Sequence, residues 1–165
     1  KRSDYLRRDD TTVIDPIEML SLANSELLEL HVNKYATMVV GCLDFETHQL
    51  HYSVAGHLPK PVLMTPEHSQ YLTGEGMPVG LTPEATYQLE TIVLPETFML
   101  VLMSDGVLET IDEVDLIERE KTLLSRISGS LEKPGDLIRR LSLGDVTSDD
   151  LTDDIAGLFI SRGVG

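Results

Sequence analysis

Six consecutive apolar residues, Phe98 to Met103, predict a short β-strand that is buried on both faces. Asp105 lies two residues after the end of this strand and is followed by Gly106. A carboxylate at the end of a buried strand costs desolvation energy unless a cation or hydrogen bonds compensate it. A second acidic pair, Asp153-Asp154, precedes another apolar run, Ile155 to Ile160, which predicts the last strand. Aspartates at the ends of two strands offer oxygen ligands to one hard divalent metal site.

The other hydrophobic runs predict further strands and three helices. A helix is expected from Asp15-Pro16, where aspartate suits the cap and proline the first turn, to about Leu30. Strand-forming or alternating patterns occupy Tyr35–Leu43, Leu50–Val54, Val62–Met64, Tyr71–Leu72 and Thr86–Leu94. Helical spacing then places five apolar residues on one face, namely Leu116, Ile117, Leu123, Leu124 and Ile127. A last helix is expected from Pro134 to Leu141. Strands followed by helices and closed by one final strand predict an α+β sandwich.

Length and composition fit one globular domain over residues 1–165. The net charge of -15 argues against nucleic acid as a partner, because phosphates would be repelled. Cys42 is the single cysteine, so the chain has no internal disulfide, and its apolar neighbours predict a buried thiol in a reducing, cytoplasmic setting. No apolar run approaches the roughly 20 residues of a membrane helix. Lys1 to Asp10 has no helix start signal, so we expect the end of a helix whose beginning lies before it.

Three other segments are poor matches to known functional motifs. Gly74 to Gly80 misses the dinucleotide fingerprint, because its last spacing is wrong by one residue and Pro78 interrupts it. Asp145 to Asp154 lacks the glycine and the terminal glutamate of a calcium-binding EF-hand. Ser104 lacks the flanking glycines of a nucleophile elbow, and we expect an ordinary serine at the end of a strand.

Asp105 and His57 each leave two interpretations open. Asp105 is either the cap of a helix that begins near Val107 or a metal ligand, and the second acidic pair favours the metal. His57 lies in the tight loop that begins at Ala55-Gly56, and it is either a hydrogen-bonded structural residue or a functional one.

Four short motifs occur along the chain: Ala55-Gly56-His57-Leu58-Pro59, Gly76-Met77-Pro78-Val79-Gly80, Ser104-Asp105-Gly106-Val107 and Asp153-Asp154-Ile155-Ala156. Together they resemble the SpoIIE-type metal-dependent protein phosphatases of bacteria, which belong to the PPM superfamily. The resemblance covers Tyr35 to Arg162. Within the family, the chain is most similar to the output domain of response regulators of the RssB type.

This resemblance implies a layered sandwich of two antiparallel β-sheets flanked by helices, with a manganese or magnesium pair at the sheet ends. Asp105 and Asp153 match metal ligands of the family, and Asp154 matches the second acidic position of its motif. Near-site positions of the family are matched by Gly56, His57, Gly80 and Gly106. Two such ions activate water for in-line attack on phosphorus, so no protein nucleophile is needed.

The implied activity is hydrolysis of phosphoserine or phosphothreonine on a protein of a sigma-factor or stress-response pathway. A receiver domain upstream is implied as well, and a homodimer is compatible with the family. The family also uses an upstream Gly-Asp segment that supplies metal ligands, and nothing in Lys1 to Leu30 matches it. We therefore expect the missing part of the site before Lys1. The alternative function is a degenerate phosphatase fold that docks a sigma factor or a protein of its regulatory pathway without turnover.

Overall fold

The computed structural model of the protein describes residues 15–129, 131, 133–141 and 153–164. The chain separates into two compact units. The described part of the first unit is residues 15–56 and 74–92, and that of the second is residues 57–73 together with the described residues from 93 onward. The expected helix end at Lys1–Asp10 and residues 145–152 of the acidic run Asp145 to Asp154 lie outside the described residues.

The first unit begins with helix α1, Pro16–Glu29. Asp15 caps it, because its Oδ1 accepts hydrogen bonds from the backbone N–H groups of Ile17 at 2.8 Å and Glu18 at 3.3 Å. Leu20 is fully buried on the side of the helix that faces the sheet of this unit. The predicted helix, its cap and its end are therefore confirmed.

The sheet of the first unit has the order β1-β2-β5, with β1 at Met38–Asp44, β2 at Gln49–Ala55 and β5 at Glu90–Val93. The first two strands form the predicted antiparallel hairpin, in register from Met38 opposite Ala55 to Asp44 opposite Gln49. The strand predicted at Thr86–Leu94 is shorter than expected, because Tyr87 forms only an isolated bridge to Gly76 and is buried there. Cys42 is half-buried, so the expectation of a buried thiol is only partly met.

The sheet of the second unit has the order β4-β3-β6-β7. These strands are β3 at Val62–Met64, β4 at Ser69–Tyr71, β6 at Phe98–Met103 and β7 at Gly157–Arg162, and every neighbouring pair is antiparallel. The prediction of a buried β6 is confirmed, since five of its six residues are buried. The last strand begins at Gly157 instead of Ile155, and it is mostly exposed, because β6 is its only strand neighbour among the described residues.

Three helices complete the second unit: α2 at Gly106–Glu109, α3 at Leu116–Ile127 and α4 at Pro134–Arg140. Leu123 and Ile127 of α3 and Leu137 of α4 are buried against β3 and β6 in one hydrophobic core. The predicted apolar face of α3 is wrong at its start, since Leu116 is 44% and Ile117 61% exposed. The first turn of α3 extends past the core that its later turns contact.

The α+β class with two antiparallel sheets and flanking helices is confirmed by this arrangement. No helix within the described ranges combines the length and the apolar character needed to cross a membrane.

Candidate active site

Ser104 joins the two acidic segments of the second unit. Its Oγ donates a hydrogen bond to the backbone oxygen of Asp154 at 2.9 Å and accepts one from the backbone N–H of Ala156 at 2.8 Å. The backbone N–H of Ser104 also donates to the oxygen of Ala156 at 2.9 Å. Three hydrogen bonds thus hold the residue before Asp105 against the chain that follows Asp153.

Gly106 allows these two segments to approach at backbone distance. A Cβ placed on Gly106 would lie 2.6 Å from the backbone oxygen of Asp154 and 3.2 Å from that of Asp153. Both contacts are shorter than ordinary van der Waals distances, so only glycine fits here without a backbone shift. We call this contact between residues 104–106 and 153–156 the acidic junction.

Asp105 occupies the N-cap position of α2, but its side chain makes no capping hydrogen bond. The first turn is closed by backbone groups, with the N–H of Leu108 donating to the oxygen of Asp105 at 2.8 Å. The carboxylate is exposed. Helix capping by the side chain, one of the two interpretations of Asp105, therefore finds no support in the contacts of this residue.

Asp153 and Asp154 lie on the other side of the acidic junction, and both are exposed. One oxygen of Asp153, Oδ1, accepts a hydrogen bond from the backbone N–H of Asp154 at 2.8 Å. A carboxylate has two oxygens with about four acceptor positions, and within the described residues this bond occupies one of those of Asp153.

His57 belongs to the same unit, and its ring nitrogen Nε2 is buried without a hydrogen-bond partner. Burial lowers the pKa of His57 below its usual value, while the negative charge of Asp105 and the backbone of Met103 act in the opposite direction. The electrostatic effect of Asp105 acts over a distance and is no contact, so a functional role for His57 stays a prediction.

The two remaining near-site glycines shape loops of the first unit. Gly56 has a φ of +66°, and a Cβ there would lie 2.5 Å from Pro78. Gly80 has a φ of +82°, and its N–H donates to Oδ1 of Asn24 at 2.7 Å. Both positions need glycine for backbone reasons. These contacts explain why glycine is needed at both positions, and they indicate no catalytic or metal-binding role.

A divalent metal fits the donor set of the acidic junction. Carboxylate oxygens are the ligands that Mg²⁺ prefers, and it is commonly bound by one or two carboxylates together with water. Within the part of the chain that the structure describes, no group of three or more His, Cys, Asp or Glu side chains is close enough to hold a metal ion. The described residues therefore offer at most part of a coordination sphere.

The bridging role of Ser104 is not predicted by the sequence. The sequence predicts an ordinary serine at a strand end. In the structure the side chain of Ser104 makes two hydrogen bonds, with Asp154 and Ala156, which lie 50 and 52 residues further along the chain. Only its position directly before Asp105 pointed to the site, since a single sequence carries no signal for contacts at that separation.

The comparisons with known proteins concern the family and the fold of the chain. The sequence model of the family described as Stage II sporulation protein E (SpoIIE) matches residues 4–163. The chain belongs to the SpoIIE family. The predicted family is thereby confirmed.

One curated relative and several solved structures resemble the chain. Protein IcfG of Synechocystis sp. is 24% identical over 156 residues, which cover 91% of this chain and 24% of IcfG. The PP2C phosphatase domain with a regulatory fragment of SpoIIE from Bacillus subtilis has a TM-score of 0.69 at 17% identity, covering 91% of this chain and 44% of that one. The RsbU and RsbW domains of Rv1364c from Mycobacterium tuberculosis have a TM-score of 0.66 at 22% identity, covering 92% and 43%.

At these identities the likeness to solved structures concerns the fold, which is that of PP2C-type phosphatase domains. The chain spans about a quarter of the length of IcfG and less than half of both structures described above.

Proposed function

We propose that this chain is the metal-dependent phosphatase domain of a bacterial signalling protein and hydrolyses phosphoserine or phosphothreonine on a protein. The observation that carries the proposal is the acidic junction. Ser104 and Gly106 hold the segments that carry Asp105 and Asp153 together, and among the described residues the Asp105 side chain makes no capping hydrogen bond.

Each group of the junction has a separate task in this proposal. Asp105 and Asp153 hold Mn²⁺ or Mg²⁺ through carboxylate oxygens, and Asp154 is the second acidic residue available to the same ions. Ser104 and Gly106 fix the distance between the two segments, so the ligands need little reorganisation on binding. A bound pair of divalent ions supplies Lewis acidity, which activates water and neutralises charge on the phosphoryl group. No serine or cysteine nucleophile is required of the chain.

Family membership and the related structures support this activity and its setting. A structure of the SpoIIE phosphatase domain after presoaking with Mn shares the fold at a TM-score of 0.59. The likeness to a protein with RsbU and RsbW domains supports partners from a sigma-factor pathway. We further propose that the whole protein is a cytoplasmic response regulator with an upstream receiver domain, and that further metal ligands come from outside the described residues.

The proposal is tested by phosphatase assays on the full-length protein, with a phosphorylated peptide or an aryl phosphate and millimolar Mn²⁺ or Mg²⁺. Asp105→Asn and Asp153→Asn should each lower kcat/KM by at least about 100-fold, because an amide is neutral and binds hard cations poorly. Asp112→Asn is the matched control, since Asp112 is an exposed aspartate of the same unit. Full activity in Asp105→Asn would remove the basis of the proposal.

A second candidate function is a phosphatase-fold module that docks a sigma factor or an anti-sigma-pathway protein without turnover. It is favoured by the finding that the described residues contain no cluster of three or more potential metal ligands. The same assay separates the candidates. A full-length wild type that binds neither metal and hydrolyses neither substrate supports docking alone.

A further inference from the structure

The first turn of α3 and the loop before it carry apolar side chains that the core of their unit does not cover. Val114 is fully exposed, Leu116 is 44% exposed and Ile117 is 61% exposed. Seven residues after the last two lie Leu123 and Leu124, on the same face of the helix, and both pack in the core. The apolar stripe of α3 therefore continues beyond the core that it helps to form.

These exposed side chains form one group on the surface. Val114, Leu116 and Ile117 fall within four consecutive positions, so their Cα atoms are at most about 11 Å apart. Single exposed apolar side chains are ordinary on a protein surface, whereas a contiguous group of them marks a site of interaction. We call these three side chains the α3 patch.

The residues interleaved with the α3 patch are acidic. Glu113, Asp115 and Glu118 are exposed, and residues 113–118 contain no Lys or Arg. Two cations follow in the helix. Arg119 donates through Nε to the backbone oxygen of Glu113, and the next cation, at position 121, pairs with Glu118 at 2.7 Å. Neither of these contacts involves the Glu113 carboxylate, so the apolar patch has a negative border.

We propose that the α3 patch is the docking surface for a segment of another protein that presents apolar side chains next to lysine or arginine. Apolar contacts supply the affinity of such a complex, and the opposite charges orient the segment and speed its encounter. The inference does not depend on the proposed phosphatase activity, because docking is measured without turnover.

The charge of the chain argues against other occupants. Two copies of a chain with a net charge of -15 repel each other, which disfavours the patch as a homodimer contact. Nucleic acid and anionic lipid surfaces carry the same sign of charge as the border of the patch and are disfavoured for that reason. A basic protein segment is the occupant whose charge and apolar character both match.

The apolar part of the proposal is tested with the full-length protein and a helical peptide of leucine and lysine that has leucine along one face. Val114→Ser/Ile117→Ser removes apolar surface at two exposed positions, so it should leave the melting temperature unchanged and weaken peptide binding at least about tenfold. Phe45→Ser is the matched control, because Phe45 is 79% exposed between two acidic residues, and it should stay within about twofold of wild type. Equal affinity in wild type and the double variant would overturn the inference.

The charge part is tested with two further changes. A peptide with glutamate in place of lysine should bind the wild type at least about tenfold more weakly than the lysine peptide. Glu113→Gln should weaken binding of the lysine peptide about threefold, whereas Glu67→Gln, which changes the net charge equally at another exposed site of the same unit, should not. Equal binding of the two peptides, or equal effects of the two substitutions, would contradict the proposal.

Thiol labelling distinguishes the other possible occupants. In full-length Val114→Cys, the introduced thiol should react with a maleimide as fast as the thiol of Phe45→Cys, with mass spectrometry locating the label. Slow labelling at every protein concentration would show that another part of the same protein covers the patch. Labelling that slows as the protein concentration rises would show a second copy there. Either result would overturn docking of a separate partner.

Discussion

Asp115 and Asp105 stand directly before two helices of the same unit, and their carboxylates do different things. Oδ1 of Asp115 accepts hydrogen bonds from the backbone N–H groups of Ile117 at 2.8 Å and Glu118 at 3.3 Å, as a capping residue should. Asp105 makes no such bond, although it occupies the same position relative to α2. The comparison teaches that the position of an aspartate does not reveal its task, whereas the partners of its carboxylate do.

Two polar side chains of the first unit, those of Asp44 and Asn24, have hydrogen bonds with other residues of that unit. Asp44 accepts hydrogen bonds from the turn between β1 and β2, chiefly from Thr47, and these bonds lower the pKa of Asp44. Asn24 is 6% exposed, and its amide donates to the oxygen of Thr82 while its oxygen accepts from Gly80. These groups hold the fold together, in contrast to the partly unused groups at the acidic junction.

The largest effect is expected from adding a methyl group at the junction. Gly106→Ala places a Cβ 2.6 Å from the backbone oxygen of Asp154, so one acidic segment must move away from the other. We expect a loss of about 3 kcal/mol in the free energy of unfolding and loss of metal-dependent phosphatase activity.

Gly135→Ala in α4 is the matched control for that substitution, because its Cβ would meet nothing within 4 Å. Alanine favours the helix there by about 0.5–1 kcal/mol. Denaturant unfolding and phosphatase assays on both variants make the comparison. Wild-type activity in Gly106→Ala would show that close approach of the two segments is unnecessary.

A smaller effect, on stability alone, is expected at Asn24. Asn24→Ala leaves the N–H of Gly80 and the oxygen of Thr82 without their partner, which should cost about 2 kcal/mol. Metal affinity should stay at the wild-type value, because Asn24 has a purely structural role. Ser25→Ala, at the next and exposed position, should change stability by less than about 0.5 kcal/mol. A fall in the Mg²⁺ affinity of Asn24→Ala, measured at a temperature where the variant is fully folded, would contradict a purely structural role for Asn24.

The smallest effects on stability are expected at Asp115 and Asp105, and they should differ between the two residues. Asp115→Ala removes a side-chain cap and should lower the free energy of unfolding by about 1 kcal/mol without affecting catalysis. Asp105→Ala removes no cap and should leave the metal-free stability close to wild type while abolishing activity. Thermal melts without metal, together with assays in Mn²⁺, measure both. If Asp105→Ala proves as destabilising as Asp115→Ala, Asp105 is a cap after all.

The sequence predicts the helices and strands of this fold well, because the spacing of hydrophobic residues and the residues that cap helices are local signals. Asp15-Pro16 marks the start of α1, and the run Phe98–Met103 is the buried strand at the centre of its sheet. Exposure is predicted less well, since it depends on what each element contacts. Leu116 has the right spacing for a core residue, yet it lies in a turn that the core does not reach.

The candidate site shows the same limit. The motifs alone make Asp105 and Asp153 candidate ligands, because an acidic residue beside an apolar strand is visible in one sequence. The bridging bonds of Ser104 and the unpaired nitrogen of His57 depend on groups that meet only in the folded chain. Contacts at such sequence separation leave no periodic pattern from which to predict them.

The most direct test of shared metal binding is anomalous diffraction at the manganese edge from crystals of the full-length protein soaked in Mn²⁺. The account predicts an anomalous peak within about 2.2 Å of a carboxylate oxygen of Asp105 and of one from Asp153, either on one ion or on a close pair. A fully soaked crystal without a peak at these carboxylates, or with manganese bound only elsewhere, would contradict it.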